Sequence, residues 1–144
     1  MHHFAIACLM LVLWVVADYL LAFSGDGAWF GNLDNMFLGD IGVDGMSGTI
    51  LESLFAAFQI TFALITPALV IGASVEHMKF ATVLIFSVLW LLFVYAPVTH
   101  WVWGGGIMAG WGVLDFAGGI VVHTTAGPAA LVCAVMVAKR RHSP

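Results

Sequence analysis

Residues 4–23 read FAIACLMLVLWVVADYLLAF, a run of twenty positions in which Asp18 is the only charged side chain. An α-helix rises 1.5 Å per residue, so a run of this length crosses the roughly 30 Å of hydrocarbon in a bilayer. Three further apolar runs follow at about 50–73, 80–103 and 116–138. Only a helix satisfies its own backbone hydrogen bonds in lipid, and each run is therefore predicted to be a membrane-spanning helix.

The composition of the whole chain also indicates a protein that faces lipid. Of its 144 residues, 62% are hydrophobic and 8% are charged, and the mean hydropathy is +1.07. Soluble domains carry about 25% charged residues, so these few charges would not solvate a globular surface. The net charge of −4 argues against nucleic-acid binding. Cys8 and Cys133 lie in apolar runs and are predicted to pack as small hydrophobic residues rather than to bind metal.

The distribution of basic residues predicts how the helices are oriented. The 24–47 connector carries several aspartates and no Lys or Arg, whereas the 74–79 connector and the carboxyl terminus carry all the basic residues, Lys79, Lys139, Arg140 and Arg141. Cytoplasmic loops are enriched in Lys and Arg. Both ends of the chain are therefore predicted to be cytoplasmic, and the acidic 24–47 connector is predicted to face outward.

Two capping patterns predict where helices start on the outer side. Thr49, followed by Glu52 three residues later, fits a capping box at the start of the second helix. Asp115, directly before Phe116, fits the N-cap of the fourth helix.

His123 is the most informative polar residue inside a predicted span. It lies eight residues after Asp115, or about 12 Å below the outer end of the fourth helix. No carboxylate lies within one turn, so its partner is expected on another helix. An intramembrane histidine indicates either a pore residue or a core residue bonded to a backbone carbonyl. Trp103, beside Gly104–Gly106, is typical of an interfacial tryptophan or of a cation–π site.

The second helix carries an aromatic stripe, because Phe55, Phe58 and Phe62 share one face at helical spacing. Such a stripe is more typical of packing than of function. Gln59 is expected to form hydrogen bonds between helices. Asp18 lies in the outer quarter of the first helix, from which it is expected to reach the membrane interface.

The stretch DFAGGIVVH (residues 115–123) strongly resembles the signature of the ammonium transporter family. Three more blocks, within residues 13–24, 58–76 and 100–106, resemble helices of the same family in the same order. Together the four blocks cover essentially the whole chain.

The resemblance implies an all-α fold of about eleven membrane helices in two inverted halves, assembled as a homotrimer with one pore per subunit. This chain then corresponds to helices two to five, a fragment without the second half of the pore. It implies transport of ammonium or ammonia across the cell membrane, with no enzymatic activity and no cofactor. In the full-length protein, a cytoplasmic regulator of the PII type is an expected partner. The family's outward amino terminus implies the same orientation as the basic residues do.

The resemblance also implies roles for five residues. Trp103 and Phe58 resemble aromatic residues of an outer ammonium recruitment site, and Phe62 resembles a phenylalanine that gates the pore below it. His123 resembles the first of two pore histidines and is expected to line the pore and to relay a proton. Asp115 resembles a carboxylate near the outer mouth with a structural role. The second histidine, the second gate phenylalanine and a site serine belong to later helices of the family.

Two other functions remain open at this point. An ammonium sensor would use the same scaffold with an added signalling domain. A haem-binding subunit of a membrane oxidoreductase would need two intramembrane histidines on facing helices, for which His100 and His123 are the candidates.

Overall fold

The computed structural model of the protein describes residues 2–32, 36–39, 41–73 and 78–137. In these ranges, four helices are long and apolar enough to cross a membrane. The helices are α1 (His2–Phe23), α2 (Glu52–Gly72), α3 (80–102), a short α4 (Ile107–Gly110) and α5 (Gly119–Met136), and the two strands are β1 (Met46–Ser47) and β2 (Ile50–Leu51). We call the end of the bundle that carries residues 24–51 and 103–118 the loop end.

A short hairpin precedes α2 at the loop end. β1 and β2 pair antiparallel, and Gly48 and Thr49 form the two-residue turn between them. Thr49 therefore lies in the hairpin, and the capping box predicted from Thr49 and Glu52 is wrong. The helix begins at Glu52 after the extended Leu51, which forms no side-chain cap with the described residues. The Glu52 carboxylate instead accepts a hydrogen bond from the Tyr19 hydroxyl at 3.1 Å.

The fourth membrane helix starts three residues later than predicted. Gly118 has a left-handed backbone with φ of 81°, so the regular helix cannot begin before Gly119. Its predicted end at 138 lies outside the described residues. Residues 74–77 and 139–142 also lie outside the described residues. Most of the basic residues that predict the orientation of the helices in the membrane are among them.

Three of the four membrane helices contain a π-helical turn. A π turn adds one residue to the regular helical pattern, which widens the helix and rotates the face that follows. Asp18, Tyr95 and His123 each lie on one of these turns. The turns are Trp14–Asp18 in α1, Leu91–Tyr95 in α3 and Gly119–Thr124 in α5.

The four long helices pack around one apolar core. α1 contacts α2 and α3, and α5 contacts α2 along its length and α3 near the loop end. The buried Trp14 of α1 donates its indole N–H to the carbonyl oxygen of Ala56 on α2, at 3.2 Å. Asp18 is completely buried in this core, so the expectation that it reaches the membrane interface is wrong. The core includes Ile6, Met10, Ala63, Val70, Val83, Leu91, Tyr95, Val121 and Ala126.

One face of α5 stays uncovered by the other described helices. Leu131, Val135 and Met136 are exposed there, together with His123. A continuous apolar helix surface of this kind requires lipid or further helices against it, because water solvates it poorly. This face of α5 therefore requires lipid, or helices other than those described, against it.

Candidate functional site

A cavity of about 410 Å³ opens at the loop end, between α2, the end of α3 and the connector before α5. Four of the five site residues predicted from the sequence lie in its wall, namely Phe58, Phe62, Trp103 and Asp115. The fold thus brings together side chains from three separate parts of the chain. The remaining wall residues are Phe55, Gln59, Val102, Val113, Leu114 and Phe116.

Three aromatic rings form a continuous wall of this cavity. Phe58 and Phe62 are one helical turn apart on α2, with ring centroids 5.3 Å apart and planes at 81°. Phe62 makes a similar edge-to-face contact with Trp103, with centroids 5.4 Å apart and planes at 67°. Edge-to-face contact directs the positive edge of one ring at the negative face of the next. Phe58 is the most accessible of the three, with 56% of its surface exposed.

Trp103 is held in place by hydrogen bonds at both its indole and its backbone. The indole N–H donates to the carbonyl oxygen of Asp115 at 2.7 Å, and the Trp103 backbone N–H donates to Thr99 at 2.8 Å. The residue after it must be glycine, because a Cβ at Gly104 would lie 2.0 Å from the carbonyl oxygen of Ala22. Close packing of Gly104 against α1 therefore fixes the position of Trp103 at the end of α3.

Asp115 caps α5 from four residues upstream of its first residue. One carboxylate oxygen accepts the N–H of Gly119 at 2.7 Å, and the other accepts those of Ile120 and Val121 at 2.9 Å each. The first N–H groups of a helix have no partner within the helix and carry a partial positive charge. The N-cap position is occupied by Gly118, so the prediction that Asp115 is the N-cap residue is wrong in position, although its carboxylate accepts the first N–H groups of the helix.

Gly118 makes this longer gap possible. Its left-handed φ of 81° turns the chain from the connector into α5, and a Cβ there would lie 2.6 Å from Cγ2 of Val122. The same Cβ would lie 3.7 Å from the Trp103 ring, so the tryptophan packs against the glycine. The stretch DFAGG therefore has a physical explanation, in which the aspartate caps the helix and the glycine provides the turn.

The charge of Asp115 follows from these contacts. Burial raises the pKa of its carboxyl group, but the N–H groups of Val121, Ile120, Gly119 and Gly118 together lower the pKa by more. The net effect places the pKa below the ordinary aspartate value. The carboxylate is therefore ionised at neutral pH, beside the cavity and at the positive end of a helix.

His123 does not line this cavity. It lies on the π turn of α5, about 6 Å further along the helix than Gly119. Its side chain is exposed, and its ring forms no hydrogen bond within the described part of the chain. The partner expected on another helix is therefore not among the described residues.

His100 has a different environment from the one that the haem alternative requires. It is fully buried, with Nδ1 3.1 Å from the carbonyl oxygen of Ala22 and Nε2 2.6 Å from that of Gly27. Both ring nitrogens are therefore occupied, and neither is available to an iron. This geometry argues against a haem held between His100 and His123.

Among the wall residues that sequence reasoning did not assign to the site, Gln59 is the polar one. It is 7% exposed, and its Oε1 has no hydrogen-bond partner in the structure described. The expected hydrogen bond between helices is therefore not made by this oxygen. Its position between Phe58 and Phe62 on the aromatic stripe was the only sequence signal that could have identified it.

Fold and site together define a helical membrane protein in which an aromatic cavity opens at one end of the bundle. The Ammonium Transporter Family model matches residues 1–144. An ammonium transporter of Bacillus subtilis (strain 168) is 46% identical over 143 residues, covering 98% of this chain and 35% of the relative. A putative ammonium transporter of Methanothermobacter thermautotrophicus is 47% identical over 132 residues, covering 90% of this chain and 32% of the relative.

Solved structures agree with these relatives. The crystal structure of Candida albicans Mep2 matches with a TM-score of 0.87 at 34% identity, covering 95% of this chain and 31% of that one. Saccharomyces cerevisiae Mep2 matches with a TM-score of 0.86 at 31% identity, covering 98% and 33%. The chain belongs to the Ammonium Transporter Family, as predicted. Its four membrane helices form part of a larger fold, since the chain spans about a third of the length of the curated relatives it matches. The family is one of transporters and not of enzymes.

Proposed function

We propose that the protein to which this chain belongs transports ammonium or ammonia across the cell membrane. The observation that carries the proposal is the wall of Phe58, Phe62 and Trp103 at the loop end of a membrane-embedded bundle. Each aromatic face attracts a cation by about 0.5–2 kcal/mol. Family membership supports the same substrate.

In this proposal, recruitment occurs at the aromatic cavity. Trp103 and Phe58 attract the cation, and Gln59 supplies a polar amide in a wall that is otherwise mainly apolar. Asp115 has a structural role, because its carboxylate oxygens already accept hydrogen bonds from three backbone N–H groups at the start of α5.

Below the cavity, the species that crosses is neutral ammonia. Transferring a bare cation into an apolar medium costs tens of kcal/mol, whereas ammonia carries no charge. Phe62 closes the path to water, and His123 accepts or passes the proton, since histidine titrates near neutral pH. The exposed face of α5 that carries His123 is completed by helices beyond this chain.

The proposal extends to assembly and orientation. The complete protein forms a homotrimer in the cell membrane with a pore in each subunit, and both ends of this segment are cytoplasmic. A regulator of the PII type binds on the cytoplasmic side. Residues 1–144 by themselves do not conduct, because they supply a single wall of the pore.

Uptake of labelled methylammonium by the full-length protein tests the site. Trp103→Ala is expected to raise the half-saturation concentration about 2- to 30-fold, which corresponds to the loss of one cation–π contact. Trp111→Ala is the matched control, because Trp111 is exposed in the neighbouring connector and does not line the cavity. His123→Ala is expected to abolish uptake or to change ion selectivity. Unchanged uptake in both the Trp103 and the His123 variants would overturn the proposal.

A further inference from the structure

A short segment of the connector after α1 is bonded to the end of α3 and to the start of α4. We call this segment, residues 27–29, the brace. The Trp29 carbonyl oxygen accepts the indole N–H of Trp101 at 2.7 Å, and the Ala28 carbonyl oxygen accepts the backbone N–H of Ile107 at 3.0 Å. The rings of Trp29 and Trp101 also meet edge to face, with centroids 5.8 Å apart and planes at 88°. Side-chain and backbone contacts thus both attach the brace.

His100 attaches the same connector to α3 from the buried side. Its Nε2 lies 2.6 Å from the carbonyl oxygen of Gly27, and its Nδ1 lies 3.1 Å from that of Ala22. A neutral imidazole carries one N–H, so at least one of these contacts is a hydrogen bond. The three successive carbonyl oxygens of the brace are therefore all contacted from α3 or α4.

The brace limits the path of the chain after Trp103. A Cβ at Gly106 would lie 2.8 Å from the carbonyl oxygen of His100 and 3.1 Å from that of Ala28. Contacts this short leave no space for a side chain, so the turn of residues 104–106 is packed directly between the last turn of α3 and the brace. Displacement of the brace would therefore give this turn room to move.

The orientation of the Trp103 side chain depends on the same turn. Trp103 directly precedes the turn, and its indole N–H donates to the carbonyl oxygen of Asp115 at 2.7 Å. Asp115 follows α4, and α4 begins at Ile107, whose N–H is bonded to the brace. The brace therefore fixes both the backbone that carries the tryptophan and the start of the segment that carries its hydrogen-bond acceptor.

We propose that Trp101 is a positioning residue for the aromatic cavity, and that it keeps Trp103 in its binding orientation through the brace. Trp101 lies outside the cavity wall and is half-buried, so it acts without touching the transported species. This inference rests on the proposed role of Trp103 in attracting the cation. The effect of Trp101 therefore appears in substrate binding, and only when Trp103 is present.

The test is a double-mutant cycle on methylammonium uptake by the full-length protein. Trp101→Phe removes the indole N–H and keeps an aromatic ring against Trp29. The half-saturation concentration is expected to rise about 2- to 10-fold, which corresponds to the loss of one hydrogen bond, at an unchanged maximal rate. In a Trp103→Ala background, the same substitution should cause no further rise. Trp111→Phe is the matched control, because Trp111 is exposed and lies outside the cavity wall.

The possible results separate this inference from the proposed function. An unchanged half-saturation concentration in Trp101→Phe overturns the inference, and so does an equal rise with and without Trp103, whereas recruitment by Trp103 stands if Trp103→Ala alone weakens uptake. A lower maximal rate at an unchanged half-saturation concentration would mean that Trp101 supports folding only, and also overturns it.

Hydrogen exchange supplies a second measurement that does not depend on transport. Amide exchange at residues 103–107 should be faster in Trp101→Phe than in the wild type, and exchange at residues 83–90 in the middle of α3 should be unchanged. If Trp101→Phe does not fold, Trp101→Leu is the second variant, with the same expectations. Equal exchange at residues 103–107 in the variant and the wild type would overturn the inference.

Discussion

Replacing Asp115 with alanine tests whether this carboxylate acts through the helix it caps. The variant loses three acceptor contacts of 2.7 to 2.9 Å with the N–H groups of Gly119, Ile120 and Val121. Val121 is fully buried, so its N–H remains without a partner, at a cost of about 1–3 kcal/mol. The N–H groups of Gly119 and Ile120 lie nearer to solvent, where water replaces most of the lost bonding. We expect Asp115→Ala to lower the free energy of unfolding by about 2 kcal/mol.

The same variant is expected to weaken substrate binding indirectly. The Trp103 indole N–H donates to the backbone oxygen of Asp115, so release of the connector also releases the tryptophan. Loss of about 1 kcal/mol at the cavity corresponds to a roughly fivefold increase in the half-saturation concentration for methylammonium. Asp115→Asn keeps one acceptor oxygen and should fall between the wild type and alanine in both measurements.

The assay is a pair of measurements on the full-length protein, the melting temperature in detergent and methylammonium uptake in membranes. Asp44→Ala controls for the loss of an exposed negative charge at the same end of the bundle. The capping argument is refuted if Asp115→Ala melts at the wild-type temperature. A stable Asp115→Ala protein with strongly impaired uptake would instead show that the carboxylate acts on the substrate directly.

Three further outcomes follow from the same site. Because the pKa of Asp115 is lowered on folding, its contribution to stability is complete above the ordinary aspartate pKa of about 3.9 and is lost as pH falls through the lower folded value. The melting-temperature difference between wild type and Asp115→Asn should therefore shrink on acidification, and a constant difference would contradict this. Gly118→Ala is expected to lower the free energy of unfolding by at least about 1–2 kcal/mol, because φ at this position is 81° and the new Cβ would lie 2.6 Å from Cγ2 of Val122. A denaturation curve equal to that of the wild type would show that the alanine causes no such strain. Gln59→Leu is expected to change the free energy of unfolding by less than about 0.5 kcal/mol, because the Oε1 atom that is lost has no hydrogen-bond partner among the described residues. Several-fold weaker methylammonium uptake by this variant would support a role of Gln59 in recruitment. Unchanged uptake would exclude that role.

Local sequence was sufficient for the membrane helices and for the family. The predicted spans at 4–23 and 80–103 differ from the observed helices by at most two residues at either end, because apolar length is a property of a contiguous stretch. The DFAGGIVVH stretch is equally local, since the cap and the turn lie within seven residues of each other.

The positions at which α2 and α5 begin could not be predicted from the sequence, because they depend on tertiary contacts and backbone angles. Thr49 fits a capping box in sequence, but pairing of β1 with β2 places it in a hairpin turn. The start of α5 moved to Gly119 because Gly118 adopts a left-handed conformation. In both places a local pattern was compatible with more than one backbone path, and packing at the loop end selected one of them.

The sequence by itself determined that this protein lies in a membrane and that it carries the motif blocks of a transporter family. Tertiary structure alone decided which polar groups are paired. Asp18 was expected at the interface and is fully buried in the core, whereas His100 of α3 contacts the carbonyl oxygen of Ala22 on α1 through Nδ1 and that of Gly27 in the following connector through Nε2. The physical reason is that hydrophobic length is additive along a chain, but hydrogen bonding of a buried group depends on which helices meet and at what rotation.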